Sequence, residues 1–368
     1  MYETVIYFLG IMGLLAGVML VWRIPYCLDT GSDKVIHESV SIIIPARNEA
    51  ATLPVILGSI RSQTNFTGEV IVIDDHSTDE TSAIARSFGA VVISSSPLPD
   101  GWMGKTWACF QGAEHASGEV LVFLDADTFI HPGGLQRMLA AFNREPGVVS
   151  VAPFHVTKKF HEQFSAIFNI IIVSSVNAFS IFSSHRRPTG LFGPCLIVSR
   201  KDYIRIGGHE SVKGRILEHL FMAEKFKDHG IEMACYGGKG VLSYRMYPDG
   251  IRQVIKGWGK AFVSGARQTK RFTTLLISVW FAGIVSVPVS LSLGAFLYDG
   301  FFTSVILLLY LCFVVQNYWM LKRIGSFYVS TAVLFPITVG FFLFVFINSL
   351  IRNSLGYGVQ WKGRTLKV

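Results

Sequence analysis

Two kinds of hydrophobic pattern divide the chain. Long apolar runs cover residues 5–22, 273–297, 301–320 and 327–351. Each run is long enough for a helix to cross the hydrocarbon core of a bilayer, which takes about 20 residues. Between the first and second runs, shorter apolar segments alternate with amphipathic ones. The pattern therefore predicts one N-terminal and about three C-terminal membrane helices, with a water-soluble domain between them.

The soluble part, residues 38–265, alternates predicted strands and helices. Apolar strands of buried type are predicted at 39–45, 69–74, 90–94 and 119–124, and helices at 49–62, 78–88 and 106–116. Repeated strand–helix–strand units predict an α/β domain with a doubly wound, mostly parallel sheet. The weakly polar stretch 164–182 is predicted to lie at the membrane surface or against this domain. In such sheets, ligands bind at the carboxyl ends of the strands.

Composition and charge predict how the chain is oriented in the membrane. The chain is 51% hydrophobic, its mean hydropathy is +0.44 and its net charge is +8. The cations lie beside the apolar runs and form no dense cluster, so we expect membrane contact and no nucleic-acid binding. Arg23 and Lys34 follow the first run and no cation precedes it. This favours an uncleaved anchor at 1–25 with the next domain in the cytoplasm, in a multi-pass protein of the cell membrane.

The C-terminal membrane region, 272–351, presents a conflict. Counting three crossings places the basic tail, 352–368, outside the cell, although its cations favour the inside. Pro288 and Pro336 interrupt two of the apolar runs. One of these runs is therefore a candidate re-entrant or interfacial helix. The five cysteines are scattered without C-x-x-C spacing, which indicates reduced thiols.

Acidic residues follow three of the predicted strands. Asp125 and Asp127, two positions apart after the strand 119–124, can hold a hard cation such as Mg²⁺ or Mn²⁺, or one of them can bind a ribose hydroxyl. A solvated pair that caps the next helix is the alternative. Asp74 and Asp75 follow the strand 69–74 and suit the base and ribose of a nucleotide, or simply a turn. The first strand ends in the same manner, at Pro45, Ala46, Asn48 and Glu49.

Four further groups of residues are candidates for binding or catalysis. Lys105, beside Gly104 at a predicted helix start, suits a diphosphate, although a surface loop is the alternative and the spacing is not that of a P-loop. Glu218 could act as a general base or be an ordinary first-turn residue. The segment from Gln253 through Lys256 to Trp258 suits either a lipid surface or closure over the diphosphate. Candidate acceptor contacts come from Gly193, Pro194 and His209.

As a set, these motifs resemble the processive and lipid-modifying branch of glycosyltransferase family 2. The strings PARNE, VIDDHSTDET, GKTWA, DAD, FGP and Q-x-x-x-x-W occur in the family's order between residues 39 and 258. The resemblance implies a GT-A-type fold, a UDP-sugar donor, Mg²⁺ or Mn²⁺, and inversion at the anomeric carbon. It also implies that Pro45, Glu49 and Asp75 face the nucleotide, Lys105 the diphosphate and Asp127 the metal.

A closer likeness, to members that glycosylate carotenoid acids, rests on residues 157–169, 207–218 and 359–364. It implies transfer of a hexose, glucose in the first place, to a lipid-soluble carboxylate. The alternatives are another lipid (hopanoid, ceramide, diacylglycerol or polyprenyl phosphate), a polysaccharide synthase, or a non-catalytic membrane scaffold or transport protein. Two departures from the family pattern matter: the usual Glu-Asp is Glu218-His219, and the usual Q-x-x-R-W has Lys256-Gly257 before Trp258. The second disfavours polymer synthesis.

The missing acid suggests a hypothesis about the acceptor. An acceptor carboxylate is already ionised near neutral pH, because ordinary carboxyl pKa values are about 4. Such an acceptor needs little base catalysis, so an enzyme that forms sugar esters could tolerate His219 where the family has an acid. The rival hypothesis is that His219 itself is the catalytic base.

Overall fold

The computed structural model describes residues 2–28, 39–64, 66–145, 147–182, 184–215, 217–259, 269–297, 300–354, 359–361 and 364–366. The predicted domain boundaries at 38 and 265 lie outside these ranges, as do Lys34 and much of the basic tail. The helices are α1 (Tyr2–Leu20), α2 (Leu53–Arg61), α3 (Thr81–Ser87), α4 (Gly104–His115), α5 (Gly134–Arg144), α6 (Ala166–Ser175), α7 (Arg200–Arg205), α8 (Glu218–Asp228), α9 (Ile251–Trp258), α10 (Arg271–Leu297), α11 (Gly300–Ile324), α12 (Val329–Val333) and α13 (Phe335–Ser354).

The strands form one large sheet and two small ones. They are β1 (Val40–Ala46), β2 (Glu69–Asp74), β3 (Val91–Ser94), β4 (Val120–Leu124), β5 (Thr128–Ile130), β6 (Val148–Ala152), β7 (Phe154–His155), β8 (Cys195–Ser199), β9 (Met233–Gly237), β10 (Leu242–Tyr244), β11 (Val359–Trp361) and β12 (Arg364–Leu366). The large sheet has the order β3-β2-β1-β4-β8-β6-β9, and the small sheets are β5-β10-β7 and β11-β12.

The large sheet confirms the predicted α/β class. Four of its six strand pairings are parallel, and β8 runs antiparallel to both of its neighbours, β4 and β6. Ile42, Ile43 and Ile44 of β1 are fully buried, because helices or membrane segments cover both faces of the sheet. Burial of each such side chain stabilises the fold by roughly 1.5–3 kcal/mol. The carboxyl ends of β1, β2 and β4 therefore meet at one edge, beside the start of β8.

Within the described ranges, four helices are long and apolar enough to cross a membrane: Tyr2–Leu20, Arg271–Leu293, Gly300–Ile324 and Phe335–Arg352. They correspond to the four predicted runs. Helices α1 and α10 lie close together, and a Cβ added to Gly13 would lie 2.9 Å from the Cα of Gly283. A polar chain joins three of these helices: Trp280 Nε1 donates to Gln316 Oε1 (3.2 Å), and Gln316 Nε2 donates to the Leu14 carbonyl (2.7 Å). Such bonds satisfy polar groups that lipid cannot.

The last apolar run differs from the single interrupted span that the sequence suggested. It divides into α12 and α13, and Pro336 is the second residue of α13, where a proline breaks no helical hydrogen bond. Pro288 does lie inside α10. The stretch 164–182 contributes α6, which packs between the α/β domain and the long apolar helices. Its Phe168 contacts Phe342 of α13, with ring centroids 5.0 Å apart.

The direction of α13 follows from its contacts. At its start, the Phe335 ring lies 5.0 Å from Tyr310, near the middle of α11, and Tyr310 donates to the Val333 carbonyl (2.6 Å). Near its end, Ser349 donates to the carbonyl of Gly259, which follows α9 of the α/β domain (2.8 Å). Helix α11 also ends at the α/β domain, where Ser326 N donates to His155 O. Helices α11 and α13 therefore both run toward the α/β domain.

Candidate active site

A cavity of about 370 Å³ opens at the carboxyl edge of the large sheet. It lies where β1, β2 and β4 end, beside the first residues of α4 and α8. Its lining consists of Pro45, Ala46, Arg47, Glu49, Asp75, Gly104, Lys105, Ala108, Asp125, Ala126, Asp127, Gly193, Pro194, Leu217, Glu218 and His219. Residues from six separate segments of the sequence therefore meet at one place, as expected for the edge of a doubly wound sheet.

The loops after β1 and β2 are tied together by polar contacts. Arg47 Nη1 donates to the Asp75 carbonyl at 2.7 Å and lies 3.6 Å from Asp75 Oδ2. Asn48, in the left-handed region at φ 51°, accepts from the Thr78 backbone N–H at 2.8 Å. Asp74 accepts from the Ser77 N–H (2.9 Å) and from the Ser82 hydroxyl. Asn48 and Asp74 were predicted to bind the nucleotide. Neither residue is among those that line the cavity, and the contacts of both side chains hold its loops.

Lys105 joins three elements at the centre of the cavity. Its Nζ lies 2.7 Å from Asp125 Oδ1 and 3.2 Å from Glu218 Oε1, and it donates to the Gly193 carbonyl at 3.2 Å. Burial lowers the pKa of Lys105, but the two carboxylates more than offset this, so its pKa is raised. Burial likewise raises the pKa of Glu218, and Lys105 outweighs that effect, so the net pKa is lowered. Lys105 and Glu218 are therefore both charged at neutral pH.

The charge of the cavity suits a divalent cation. Five carboxylates (Glu49, Asp75, Asp125, Asp127 and Glu218) and two cations (Arg47 and Lys105) line it, a net of three negative charges. A diphosphate would be repelled by this surplus unless a cation entered with it. The described residues contain no group of three or more His, Cys, Asp or Glu side chains that could hold a metal. Asp125 and Asp127 nevertheless fit Mg²⁺ or Mn²⁺, since these ions commonly use one or two carboxylates plus substrate phosphates.

His219 stands beside Glu218 at the start of α8. Its Nδ1 lies 4.0 Å from Glu218 Oε1, too far for a hydrogen bond, and is a buried atom without a hydrogen-bond partner among the described residues. The ring packs over Gly193, where an added Cβ would lie 2.7 Å from Nδ1. A glycine at 193 is therefore required for the ring to occupy this position.

His209 lies outside the main cavity. It lines a much smaller adjoining space of about 20 Å³, and its Nδ1 is 2.9 Å from the Tyr203 hydroxyl. Burial lowers the pKa of His209 to about 4, so the ring is neutral near pH 7. This setting is that of a core histidine behind the site rather than of a residue facing an acceptor.

The segment 253–258 does not reach the cavity. Trp258 is buried, stacks on Phe168 (ring centroids 5.0 Å apart) and donates to Ser165 Oγ at 3.0 Å. Gln253 caps its own helix by accepting from the Asp249 N–H (3.0 Å). Lys256 is exposed on the other side of α9. In this structure, none of the three lines the nucleotide site predicted for them, because α9 turns its apolar side to the catalytic core.

Four lining residues were not singled out from the sequence: Arg47, Ala108, Ala126 and Leu217. Arg47 had a signal, since it is the one cation in the PARNE string. The others are small or apolar residues that form the walls between the charged groups. Nothing in residue type alone marks such wall positions.

The chain is similar to known glycosyltransferases. Residues 41–205 match the family model for glycosyl transferase family 2. The chain is 35% identical to 4,4'-diaponeurosporenoate glycosyltransferase of Staphylococcus aureus strain MRSA252, over 90% of this chain and 89% of that protein. Its structure is similar to that of mannosyltransferase PcManGT from Pyrobaculum calidifontis in complex with GDP-Man and Mn²⁺. That likeness has a TM-score of 0.57 at 17% identity and covers 92% of this chain and 99% of the other. It confirms the predicted fold.

Proposed function

The chain belongs to glycosyl transferase family 2, and on that premise we propose that it transfers a hexose from a UDP-sugar to the carboxylate of a carotenoid acid. The acceptor class follows the name of the Staphylococcus aureus relative, and 4,4'-diaponeurosporenoate is the first candidate. Glucose is the first candidate for the sugar. The transfer inverts the anomeric carbon and uses Mg²⁺ or Mn²⁺.

One observation carries the proposal. Asp75, Lys105, Asp125, Asp127 and Glu218 come from four separate motifs and line a single cavity at the carboxyl edge of the sheet. We assign Pro45, Ala46, Glu49 and Asp75 to the nucleoside, and Asp127 with Asp125 to the metal. Arg47 holds Asp75 toward the nucleoside through its contacts with the carbonyl and carboxylate of that residue.

The reaction is a direct displacement. A carboxylate oxygen of the acceptor attacks the anomeric carbon, the bond from that carbon to the diphosphate oxygen breaks, and the electron pair leaves with UDP. Lys105 stabilises the charge that builds on the leaving group, and its pairing with Asp125 and Glu218 fixes its position beforehand. When bound at Asp125 and Asp127, the metal would act as a Lewis acid toward the diphosphate oxygens.

The acceptor and the orientation fit a membrane enzyme. A carotenoid acid is lipid-soluble, and four of the helices that the structure describes are long and apolar enough to cross a bilayer. We place the catalytic domain in the cytoplasm, because Arg23, Arg271, Lys322 and Arg323 lie at the helix ends next to it. Because α13 starts beside the middle of α11 and returns to Gly259, we place the basic tail on the same side. This re-entrant course removes the conflict between span count and charge.

An epitope tag at each end of the full-length chain tests this orientation. In intact cells, a tag before α1 should be accessible from outside, and a tag after residue 368 only after permeabilisation. A C-terminal tag that is accessible in intact cells would show that α13 crosses the membrane.

Replacement of Asp127 tests the proposed chemistry. Asp127→Asn keeps the shape of the side chain and removes its charge, so the variant should remain folded and membrane-bound while UDP release with the acid acceptor falls to background. Asp228→Asn is the matched control, because Asp228 is exposed at the far end of α8 and should keep full turnover. Near-normal turnover in Asp127→Asn would refute the metal role.

A further inference from the structure

We infer that His219 is a specificity-determining residue that selects an ionised acceptor by donating a hydrogen bond from Nδ1 to the acceptor carboxylate. The inference rests on the proposed function, because it concerns the group that receives the sugar. It assigns His219 a role different from that of a catalytic base. The acceptor class is an anionic carboxylate at the end of an apolar chain.

The first observation is the unsatisfied nitrogen. His219 Nδ1 is buried at the cavity wall, is 4.0 Å from the nearest carboxylate oxygen of Glu218, and has no hydrogen-bond partner among the described residues. A buried polar atom without a partner costs about 1–3 kcal/mol, unless a ligand supplies the partner. His219 lines the cavity, so a rotation of its ring away from Gly193 would turn Nδ1 to the cavity, where an acceptor oxygen supplies the partner when the proton is on Nδ1.

The second observation is that the neighbouring carboxylate is already engaged. Glu218 is paired with Lys105 at 3.2 Å, and Lys105 is also held by Asp125 and by the Gly193 carbonyl. A carboxylate in this setting is a weak base. The site is therefore poorly equipped to remove a proton from an alcohol, but a carboxylate acceptor brings no proton that must be removed. Transfer to it forms one C–O bond and breaks one, and no proton moves.

The net negative charge of the cavity also favours histidine over aspartate at position 219. The cavity already carries a surplus of three negative charges. An aspartate at position 219 would add a fourth next to the incoming carboxylate and would disfavour it by like-charge repulsion. A histidine at this position adds no negative charge and offers a donor. Histidine in place of the family's usual aspartate at position 219 therefore weakens base catalysis and at the same time favours an anionic acceptor.

The experiment compares two acceptors with the same polyene skeleton, one ending in a carboxylic acid and the other in a primary alcohol. UDP release from UDP-glucose is measured with the full-length chain in detergent micelles, and kcat/KM is determined for each acceptor. Three variants are compared with the parent protein: His219→Asp, His219→Leu and, as control, His229→Asn. His229 is at the opposite end of α8, where its Nδ1 contacts the Lys225 carbonyl.

We expect the parent protein and His229→Asn to prefer the acid by the same ratio. In His219→Asp and His219→Leu, that ratio should fall about tenfold to a hundredfold, the usual value of one hydrogen bond to a charged group. A merely structural role would lower turnover of both acceptors together and leave the ratio unchanged.

The outcomes separate the two claims. An unchanged ratio in either folded variant, with the parent active on the acid, overturns the role of His219 and leaves the proposed function standing. No UDP release from the parent protein with either acceptor overturns the proposed function and this inference with it. Should His219→Asp fail to fold, His219→Leu, which adds no charge, decides the matter.

Discussion

Replacement of Lys105 by methionine perturbs both the fold and the chemistry of the cavity. The change leaves the Glu218 carboxylate, whose side chain is only 8% exposed, without its cation. Breaking a buried ion pair from one side typically costs about 3–5 kcal/mol. The Lys105 side chain is still 26% exposed, so water screens the pair and the expected loss is smaller, about 1–3 kcal/mol. Turnover should fall to background, because the leaving group loses its fixed cation.

The pH dependence of this loss gives the diagnostic result. In the folded protein the pKa of Glu218 is lowered, so its pairing stabilises the fold above the pKa of the unfolded chain and is lost as pH falls. Without Lys105, burial raises the pKa of Glu218 with less opposition, and the carboxyl takes up a proton more readily. The difference in thermal midpoint between the parent protein and Lys105→Met should therefore be large at pH 8 and shrink toward pH 5.

A double variant completes the test. Glu218→Gln removes the charge that Lys105 compensates, so Lys105→Met combined with Glu218→Gln should be more stable than the sum of the two single effects predicts. The thermal midpoints of all four proteins are measured by intrinsic fluorescence in one detergent at several pH values. A midpoint difference that does not change with pH, together with strictly additive effects, would refute the reasoning.

Three further predictions concern other parts of the site. Gly193→Ala should lower turnover by about tenfold or more, because the new Cβ would lie 2.7 Å from His219 Nδ1 and displace the ring; an unchanged kcat/KM contradicts this. Trp258→Phe should lower stability by about 1 kcal/mol through loss of the bond to Ser165 and leave the KM for UDP-sugar unchanged; a raised KM in a stable variant would restore the nucleotide role predicted from the sequence. Chelation with EDTA should stop UDP release and added Mg²⁺ or Mn²⁺ should restore it, and persistent turnover in EDTA argues against metal use.

The strand-end motifs show what a sequence can predict about such a site. The sequence predicts that Pro45, Asp75, Lys105 and Asp127 lie close together, because parallel strands with crossover helices place their carboxyl ends at one edge. The four long apolar helices could be predicted equally well, since length and hydrophobicity suffice to identify them. Both inferences depend on backbone pattern and not on the orientation of single side chains.

Side-chain orientation is where the sequence was insufficient. Asp74 and Asp75 are adjacent and chemically alike, yet only Asp75 faces the cavity, because successive residues at a strand end point to opposite sides. The placement of Trp258 had a signal that was overlooked: Val254 and Trp258 are four residues apart, so both lie on the buried side of α9. The direction of α13, which runs from the middle of α11 back to Gly259, depends on contacts between distant segments, such as that of Ser349 with Gly259. No local sequence pattern encodes such contacts.

Helix α1 and the segment after it are part of the core of the catalytic domain, which limits how the enzyme can be purified. The chain that leaves it forms a bridge from Tyr26 to Gly237, and the Gly237 N–H donates to the Pro25 carbonyl at 2.8 Å, at the edge of the large sheet. Leu20 and Ile24 belong to the same apolar core as Ile43 and Phe123 of the sheet. Deleting the first 28 residues would therefore expose the interior of the catalytic domain, and a truncated fragment should aggregate instead of yielding a soluble enzyme. Detergent or lipid must accompany the intact chain from extraction to assay.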